Sequence, residues 1–285
     1  LAPQHLRVVW PMPQPAPLVS VIVPTRDRAS LISACADGVL NRTDYRTIEF
    51  IIVDNGSTAP ETFAAFERIR RDSRVRVITA PGPFNFSAIN NRAVAEARGD
   101  VLLLLNNDTE VIEPGWMHEL VAQAMRPDVG AVGAKLLYAD DTLQHGGVVV
   151  GAGGVASHYG LGADLVDPGP LASLALVRQV SAVTAACLAL RTSIYREIGG
   201  MDERNLAVAF NDVDFCLRIG ERGYRNIWTP FARLYHLESV SRGFDMAGEK
   251  AARFAQEIAF MQRRWGTKSF DDPFFNPNLD LSDPN

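Results

Sequence analysis

At 285 residues the chain is longer than most single domains, although one large α/β unit can reach this size. Hydrophobic residues make up 47% and charged residues 21%, enough to bury a sizeable core. A net charge of -5 argues against a general nucleic-acid binder, while leaving room for a local basic patch facing phosphates. Cys35, Cys187 and Cys216 are far apart and fit neither a disulfide framework nor zinc-ligand spacing, so they read as buried, inert thiols. The longest apolar runs, such as Val101 to Leu105, fall short of the ~20 residues that cross a bilayer. No signal-peptide pattern opens the chain, so a cytoplasmic protein is the default expectation; the missing initiator Met points to an excised or processed piece.

Residues 1–17 hold five prolines and no period, and read as an extended lead-in. Order is expected from Val19. Four short apolar runs bounded by turn residues follow: Val19 to Val23, Ile48 to Val53, Val75 to Thr79 and Val101 to Leu105. Helical patterns lie between them. Thr58 and Glu61 form a capping box ahead of Phe63, Phe66 and Ile69 on one face. Ser87 is placed to cap a helix carrying Ile89, Ala93 and Val94, which Gly99 would end. Strands alternating with helices imply a parallel sheet covered on both sides, which binds ligands at the carboxyl ends of its strands.

The second half is less regular. Trp116, Leu120 and Ala124 mark a helix, and Val129 to Leu137 a strand. Gly146 to Gly162 contains seven glycines, which suits a mobile loop. Val183 to Leu190 reads as a buried strand and Thr192 to Ile198 as a short helix. Another helix starts near Asn211 with Val213, Cys216 and Leu217 on one side. A last helix over 246–265 sets Ala247, Ala251, Phe254, Ile258, Met261 and Trp265 in a packing seam, and residues 266–285 read as a loose tail.

Polar residues gather at the strand ends. The first strand ends in Pro24, Thr25, Arg26, Asp27 and Arg28, with no glycine-rich dinucleotide fingerprint. After the second strand, Asp54 suits hydrogen bonding to a ribose or base, and equally suits a turn that caps the next helix. Four leucines run straight into Asn106, Asn107 and Asp108, oxygen-bearing groups of the kind a hard divalent cation takes together with substrate phosphates. Asp212 and Asp214 at a helix start fit either the helix dipole or, for Asp212, a base facing a cleft. His236, just past the strand containing Trp228, reads by itself as structural as readily as a ligand.

The stretches VSVIVPTRDR, IIVDNGS, PFNFSAINNRAV, ARGDVLLLLNNDTEV, GGMDE, NDVDFCLR and YHLES, in this order, resemble glycosyltransferase family 2, the inverting enzymes of the GT-A fold. The likeness runs from Val19 to about Gly243 and includes a similarity to bacterial surface-polysaccharide enzymes of O-antigen or rhamnosyl type. It implies one α/β domain over 18–265. Residues 18–110 would form a Rossmann-like nucleotide-binding half with a mainly parallel sheet, and 111–265 the acceptor and base half. It further implies that Pro24, Thr25, Arg26, Asp54, Asn90, Arg92, Asn107 and Arg242 hold a nucleotide-diphosphate sugar. Asp108 and His236, with Asn106, would hold Mg²⁺ or Mn²⁺, and Asp212 would be the base.

The acceptor would be a glycan or lipid-linked glycan, and a lipid-linked one would bring the protein peripherally to the inner membrane face. The Gly146–Gly162 stretch, with His145 and His158, is the natural place for acceptor contacts, although both histidines also suit an exposed loop. Two departures stand out: Asn106 replaces an Asp, and Asn211 replaces the Glu before the base. Activity is expected despite them, against the alternative of a decayed nucleotide- or carbohydrate-binding module. A sugar nucleotidyltransferase is disfavoured because no glycine follows the first strand.

Overall fold

The computed structural model describes residues 5–237, 248–279 and 281. In chain order the elements are β1 (Val19–Thr25), α1 (Ala29–Asn41), β2 (Ile48–Asp54), α2 (Pro60–Ile69), β3 (Val75–Thr79), α3 (Phe86–Glu96) and β4 (Val101–Leu105). There follow β5 (Thr109–Val111), α4 (Trp116–Ala124), β6 (Val129–Leu137), β7 (Leu143–His145), β8 (Val148–Val150), β9 (Ala156–His158) and β10 (Arg178–Val180). The chain then forms β11 (Cys187–Arg191), α5 (Thr192–Ile198), α6 (Asn211–Glu221), β12 (Arg225–His236) and α7 (Gly248–Trp265).

One large sheet runs β10-β12-β6-β11-β4-β1-β2-β3, with β5 added to β12 and β7 to β6. The order β4-β1-β2-β3 is wholly parallel, as the alternation of strands and helices implies. β11 is antiparallel to both of its neighbours, so the sheet is mixed rather than uniformly parallel. β1, β2 and β4 are buried on both sides, which explains their nearly unbroken apolar runs, while the edge strand β3 is only partly covered. Val21, Val23, Leu103 and Leu105 pack with α1 and α4 on one face, while Ile22, Leu102 and Leu104 pack with α3 and α6 on the other.

Several local expectations change. Thr58 and Glu61 do not form a capping box: α2 begins after Ala59, and the Oδ1 of Asp27 accepts the N–H groups of Thr58 and Ala59, each at 2.9 Å. An acceptor brought from β1 has displaced the local one. Phe63 is 47% exposed, because Thr62, Ala65 and Phe66 make the buried face. α3 is capped by Asn85, whose side chain accepts from the N–H of Ala88 at 2.9 Å, and not by Ser87. Ser87 instead donates to the carbonyl of Leu206.

The glycine-rich stretch does not form an open loop. β8 and β9 pair as a hairpin, and Gly146 N–H donates to the Tyr159 carbonyl while Tyr159 N–H donates to that of Gly147. The strand expected from Val183 starts only at Cys187. Residues 183–186 form instead a strap that crosses close to β6, where a Cβ on Gly133 would lie 2.5 Å from Val183. The segment after α7 also packs: Thr267 is fully buried, and Asp272 accepts from the N–H of Val150 and the hydroxyl of Ser181. No described helix is long and apolar enough to cross a membrane.

Candidate active site

Every β1–β4 carboxyl end opens on the same side of the sheet, where a cavity of about 400 Å³ is lined by Pro24, Thr25, Arg26, Asn55, Asn106 and Asn107. The turn leaving β1 is unusual. Asp27 and Arg28 both have positive φ, 55° and 61°, a backbone state that costs about 1–2 kcal/mol per non-glycine residue. The turn is held by its neighbours. Asp27 N–H donates to Ser57 Oγ at 2.8 Å, and its carboxylate takes the two N–H groups that open α2. Those backbone donors, Ala59 first, pull the Asp27 pKa below its ordinary value.

Asn107 donates to Thr25 Oγ1 at 2.9 Å and so ties the end of β4 to the end of β1. Asp54 pairs in register with Thr25, but its Oδ1 accepts the N–H of Ser57 at 2.9 Å, so its turn role is realised. Next to it Asn55 is 3% exposed and donates to the Ala80 carbonyl at 2.7 Å, while its buried Oδ1 has no partner among the described residues. A buried acceptor without a donor is costly, and a ligand N–H or O–H in this cavity would satisfy it.

Asn90 and Arg92 are placed away from this cavity. Asn90 is fully buried and donates to the Phe86 carbonyl at 2.8 Å, whereas Arg92 is exposed. Arg242 lies outside the described residues. Among the described residues the cations at the mouth are Arg26, Arg28, Lys250 and Arg253, and the last two, with Phe84, were not singled out from sequence. α7 is brought here by the buried Glu257, which accepts the N–H groups of Val208 and Ala209 at 2.8 and 3.2 Å.

The metal candidates do meet. β5 pairs with the end of β12 so that His236 lies opposite Thr109, beside Asp108. His236 Nδ1–H donates to Gln144 Oε1 at 2.6 Å, and Gln144 returns a bond to the His236 carbonyl at 3.2 Å. That reciprocal pair fixes a proton on Nδ1 and turns Nε2 inward. Nε2 lies 3.2 Å from Asp108 Oδ1 and 3.1 Å from Asn106 Nδ2. Two electron-rich atoms facing each other in a buried place call for a proton or a cation between them. Among the described residues no cluster of three or more His, Cys, Asp or Glu side chains is placed to hold a metal. One carboxylate and one imidazole still fit a divalent ion that takes its remaining ligands from phosphates and water.

A second cavity of about 520 Å³ adjoins the first, sharing Asn106 and Val208, and Asp212 stands in its wall. Asp212 Oδ2 accepts the Ala185 N–H at 3.0 Å and its Oδ1 that of Val213 at 2.9 Å. The residue before α6, Phe210, has φ +58° and stacks on Phe254 with ring centroids 5.7 Å apart. Strain of this kind gathers at functional sites.

Asn211 is buried, and its amide donates to the Val208 carbonyl at 2.8 Å. A Glu carboxylate cannot donate that bond, which accounts for the amide in that place. Asp214 is wholly buried and pairs with Arg218 at 2.8 Å and the Trp265 indole at 3.0 Å. It is therefore an anchor between α6 and α7 and not simply a helix-dipole residue. The three cysteines are buried as expected, and burial pushes the Cys35 thiol up to about 12.

The chain is 49% identical over 98% of its length to the uncharacterized protein y4gI of Sinorhizobium fredii, and 43% identical over 99% to the O-antigen biosynthesis protein RfbC of Myxococcus xanthus. It spans only 31% and 22% of those two relatives. A Mycobacterium tuberculosis N-acetylglucosaminyl-diphospho-decaprenol L-rhamnosyltransferase is 26% identical, with 79% of this chain and 78% of that protein covered.

Among solved structures, the mannosyltransferase PcManGT of Pyrobaculum calidifontis, in complex with GDP-Man and Mn²⁺, matches with a TM-score of 0.63 at 20% identity, covering 95% of this chain and 70% of that one. GalNAc-T7 with UDP, GalNAc and Mn²⁺ matches at 0.71 and 13%, over 89% and 49%. These likenesses identify the fold as GT-A. The model of the family described as Glycosyl transferase family 2 matches residues 20–199, and the chain belongs to that family.

Proposed function

We propose that the chain transfers a sugar from a nucleotide-diphosphate donor to a hydroxyl of a glycan or lipid-linked glycan, with inversion, in the assembly of a surface polysaccharide. The observation that carries this reading is the placement of Asn106 and Val208 in the walls of both cavities. A nucleotide in the first cavity and an acceptor in the second would meet there, between the Asp108–His236 pair and Asp212.

The donor's base and ribose would lie along Thr25, Asn55 and Asp54, with Asn55 Oδ1 receiving a hydrogen bond. Arg26, Arg28, Lys250 and Arg253 would attract the diphosphate. Asp108, His236 and Asn106 would hold the divalent ion, which supplies neutralising charge to the departing diphosphate. The imidazole favours Mn²⁺ over Mg²⁺, which prefers all-oxygen surroundings.

Asp212 would accept the proton of the acceptor hydroxyl as its oxygen bonds to the anomeric carbon. The bond from that carbon to the phosphate oxygen breaks in the same step, and the electron pair leaves with the nucleotide diphosphate. Two backbone N–H groups keep the carboxylate pointed into the cleft without neutralising it. One carboxylate suffices for this displacement, unlike the carboxylate pair of most glycoside hydrolases.

Calorimetry with a panel of nucleotide-diphosphate sugars, with and without Mn²⁺, tests the reading. Metal-dependent binding with slow donor hydrolysis is expected. Binding that ignores Mn²⁺ and yields no turnover would instead favour a decayed nucleotide-binding module.

A further inference from the structure

The wall of the second cavity holds two aromatic rings to which the reaction above gives no task. Phe210 immediately precedes α6 and Phe254 lies in α7; the rings stack with centroids 5.7 Å apart and planes 23° from parallel. Both side chains are half-buried and both line the cavity, which leaves ring surface facing it. Phe210 is held in a left-handed state, φ 58° and ψ 8°, which a bulky side chain enters only at a cost.

The flanking backbone is tied down on both sides. Glu257, one turn beyond Phe254 in α7, is 1% exposed, and its carboxylate accepts the N–H groups of Val208 and Ala209 at 2.8 and 3.2 Å. Asn211 donates to the Val208 carbonyl at 2.8 Å. One helix therefore supplies both the second ring and the acceptor that fixes the approach to the first. Asp212, two residues beyond Phe210, stands in the same wall, with Ala185 and Val208 adding apolar surface and Ser157 and Thr184 adding hydroxyls. Flat aromatic surface beside a few polar groups matches a pyranose, whose C–H face is apolar and whose rim carries the hydroxyls. The negative ring face also attracts the weakly positive hydrogens of that C–H face.

We propose that Phe210 and Phe254 form the platform on which the acceptor sugar lies, a pyranose whose C–H face meets the rings and whose attacking hydroxyl is thereby presented to Asp212. The platform selects hexopyranosides with an unbroken C–H face, such as galactopyranosides at C3, C4 and C5. It disfavours altropyranosides, whose axial hydroxyls at C2 and C3 interrupt both faces. This rests on the assignment of the second cavity to the acceptor.

Saturation-transfer NMR with a panel of methyl galacto-, gluco-, manno- and altropyranosides, alone and with UDP and Mn²⁺, reads the contact without turnover. Irradiating the aromatic protons of the protein should saturate H3, H4 and H5 of the galactoside most strongly and the altroside least. That pattern should be lost in Phe254→Ala. Even saturation around the ring, no saturation of any glycoside, or a pattern that Phe254→Ala retains overturns the proposal.

In the second arm, transfer to the same glycosides is compared with hydrolysis of the donor. Phe254→Ala should raise the acceptor KM about ten-fold, the worth of one aromatic contact, and the donor KM far less. Phe254→Tyr, which keeps a ring, should recover most of the loss, whereas Phe254→Leu, which keeps only apolar bulk, should not. Recovery by Leu equal to that by Tyr would reduce the pair to packing between α6 and α7 and overturn the proposal, as would equal losses in hydrolysis and transfer. Metal-dependent donor hydrolysis that survives while the aromatic contact is missing sinks the platform alone; hydrolysis absent from the parent protein sinks the transferase reading itself.

Discussion

The backbone N–H of Ala185 donates to Oδ2 of Asp212 at 3.0 Å, and this one bond joins the strap before β11 to the start of α6. It aims the carboxylate into the cavity shared with Asn106. Asp212→Asn keeps an oxygen for one amide but cannot accept a proton from the acceptor. Transfer should fall by about 10²–10⁴-fold while nucleotide-sugar affinity, read by calorimetry, stays within a few-fold. Undiminished transfer would place the base elsewhere.

Gln144 decides which face of the His236 ring is available. With Gln144→Leu, Nδ1–H loses its acceptor, and the ring is free to turn or take the other tautomer. Mn²⁺ affinity, measured as the half-saturating concentration for nucleotide-diphosphate binding, should weaken about 10–100-fold. Gln144→Glu retains an acceptor and should keep most of that affinity. If Leu leaves the Mn²⁺ dependence unchanged, His236 is not a ligand.

These residues differ in how far they could be read from the chain. The strands β1 to β4, their parallel arrangement and the polar residues at their ends were legible, because an apolar run followed by a polar turn is a local signal, whereas their order in the sheet was not. Asp108 with His236 was legible only through family likeness, since the 127 positions between them are closed by the pairing of β5 with β12. Gln144 and Lys250 carried no signal at all. Their roles come from which strand lies beside β6 and where α7 docks, and neither is written in the residues' own neighbourhoods. The capping of α2 failed for the same reason: Asp27, 31 residues away from Thr58, supplies the acceptor.

Lys250 lies at the mouth of the cavity proposed for the nucleotide, with Arg26 and Arg28. One charge-assisted contact to a phosphate is worth about 1.5–3 kcal/mol, so Lys250→Ala should weaken nucleotide-diphosphate binding by roughly ten-fold or more. The corresponding nucleoside should bind both proteins equally. A loss that also affects the nucleoside would mean that the substitution disturbs α7 and not the phosphate contact.

Asn211 takes the place of a carboxylate in the family pattern, and its amide donates to the Val208 carbonyl from a buried position. Asn211→Asp is isosteric but turns a donor into an acceptor facing another acceptor. It should cost about 1–3 kcal/mol in denaturant unfolding, with an unchanged slope. A neutral result would show that the amide is not needed to hold the start of α6.

His145 also sets a pH dependence of stability with a defined sign. Its folded pKa is held well below the ordinary 6.5, first by burial and then by His158, Arg178 and His236. The unfolded chain therefore binds more protons than the folded one as the pH falls below about 6.5, so folding free energy is lost on acidification and is fully present above that value. The loss approaches at most about 1.4 kcal/mol per pH unit, and between roughly pH 6.5 and 5.5 it precedes the titration of ordinary carboxylates. Urea unfolding across that window should show the decline in the parent protein and a shallower one in His145→Asn, which has no ring to protonate. Equal slopes in the two proteins would mean that His145 takes up a proton as readily folded as unfolded.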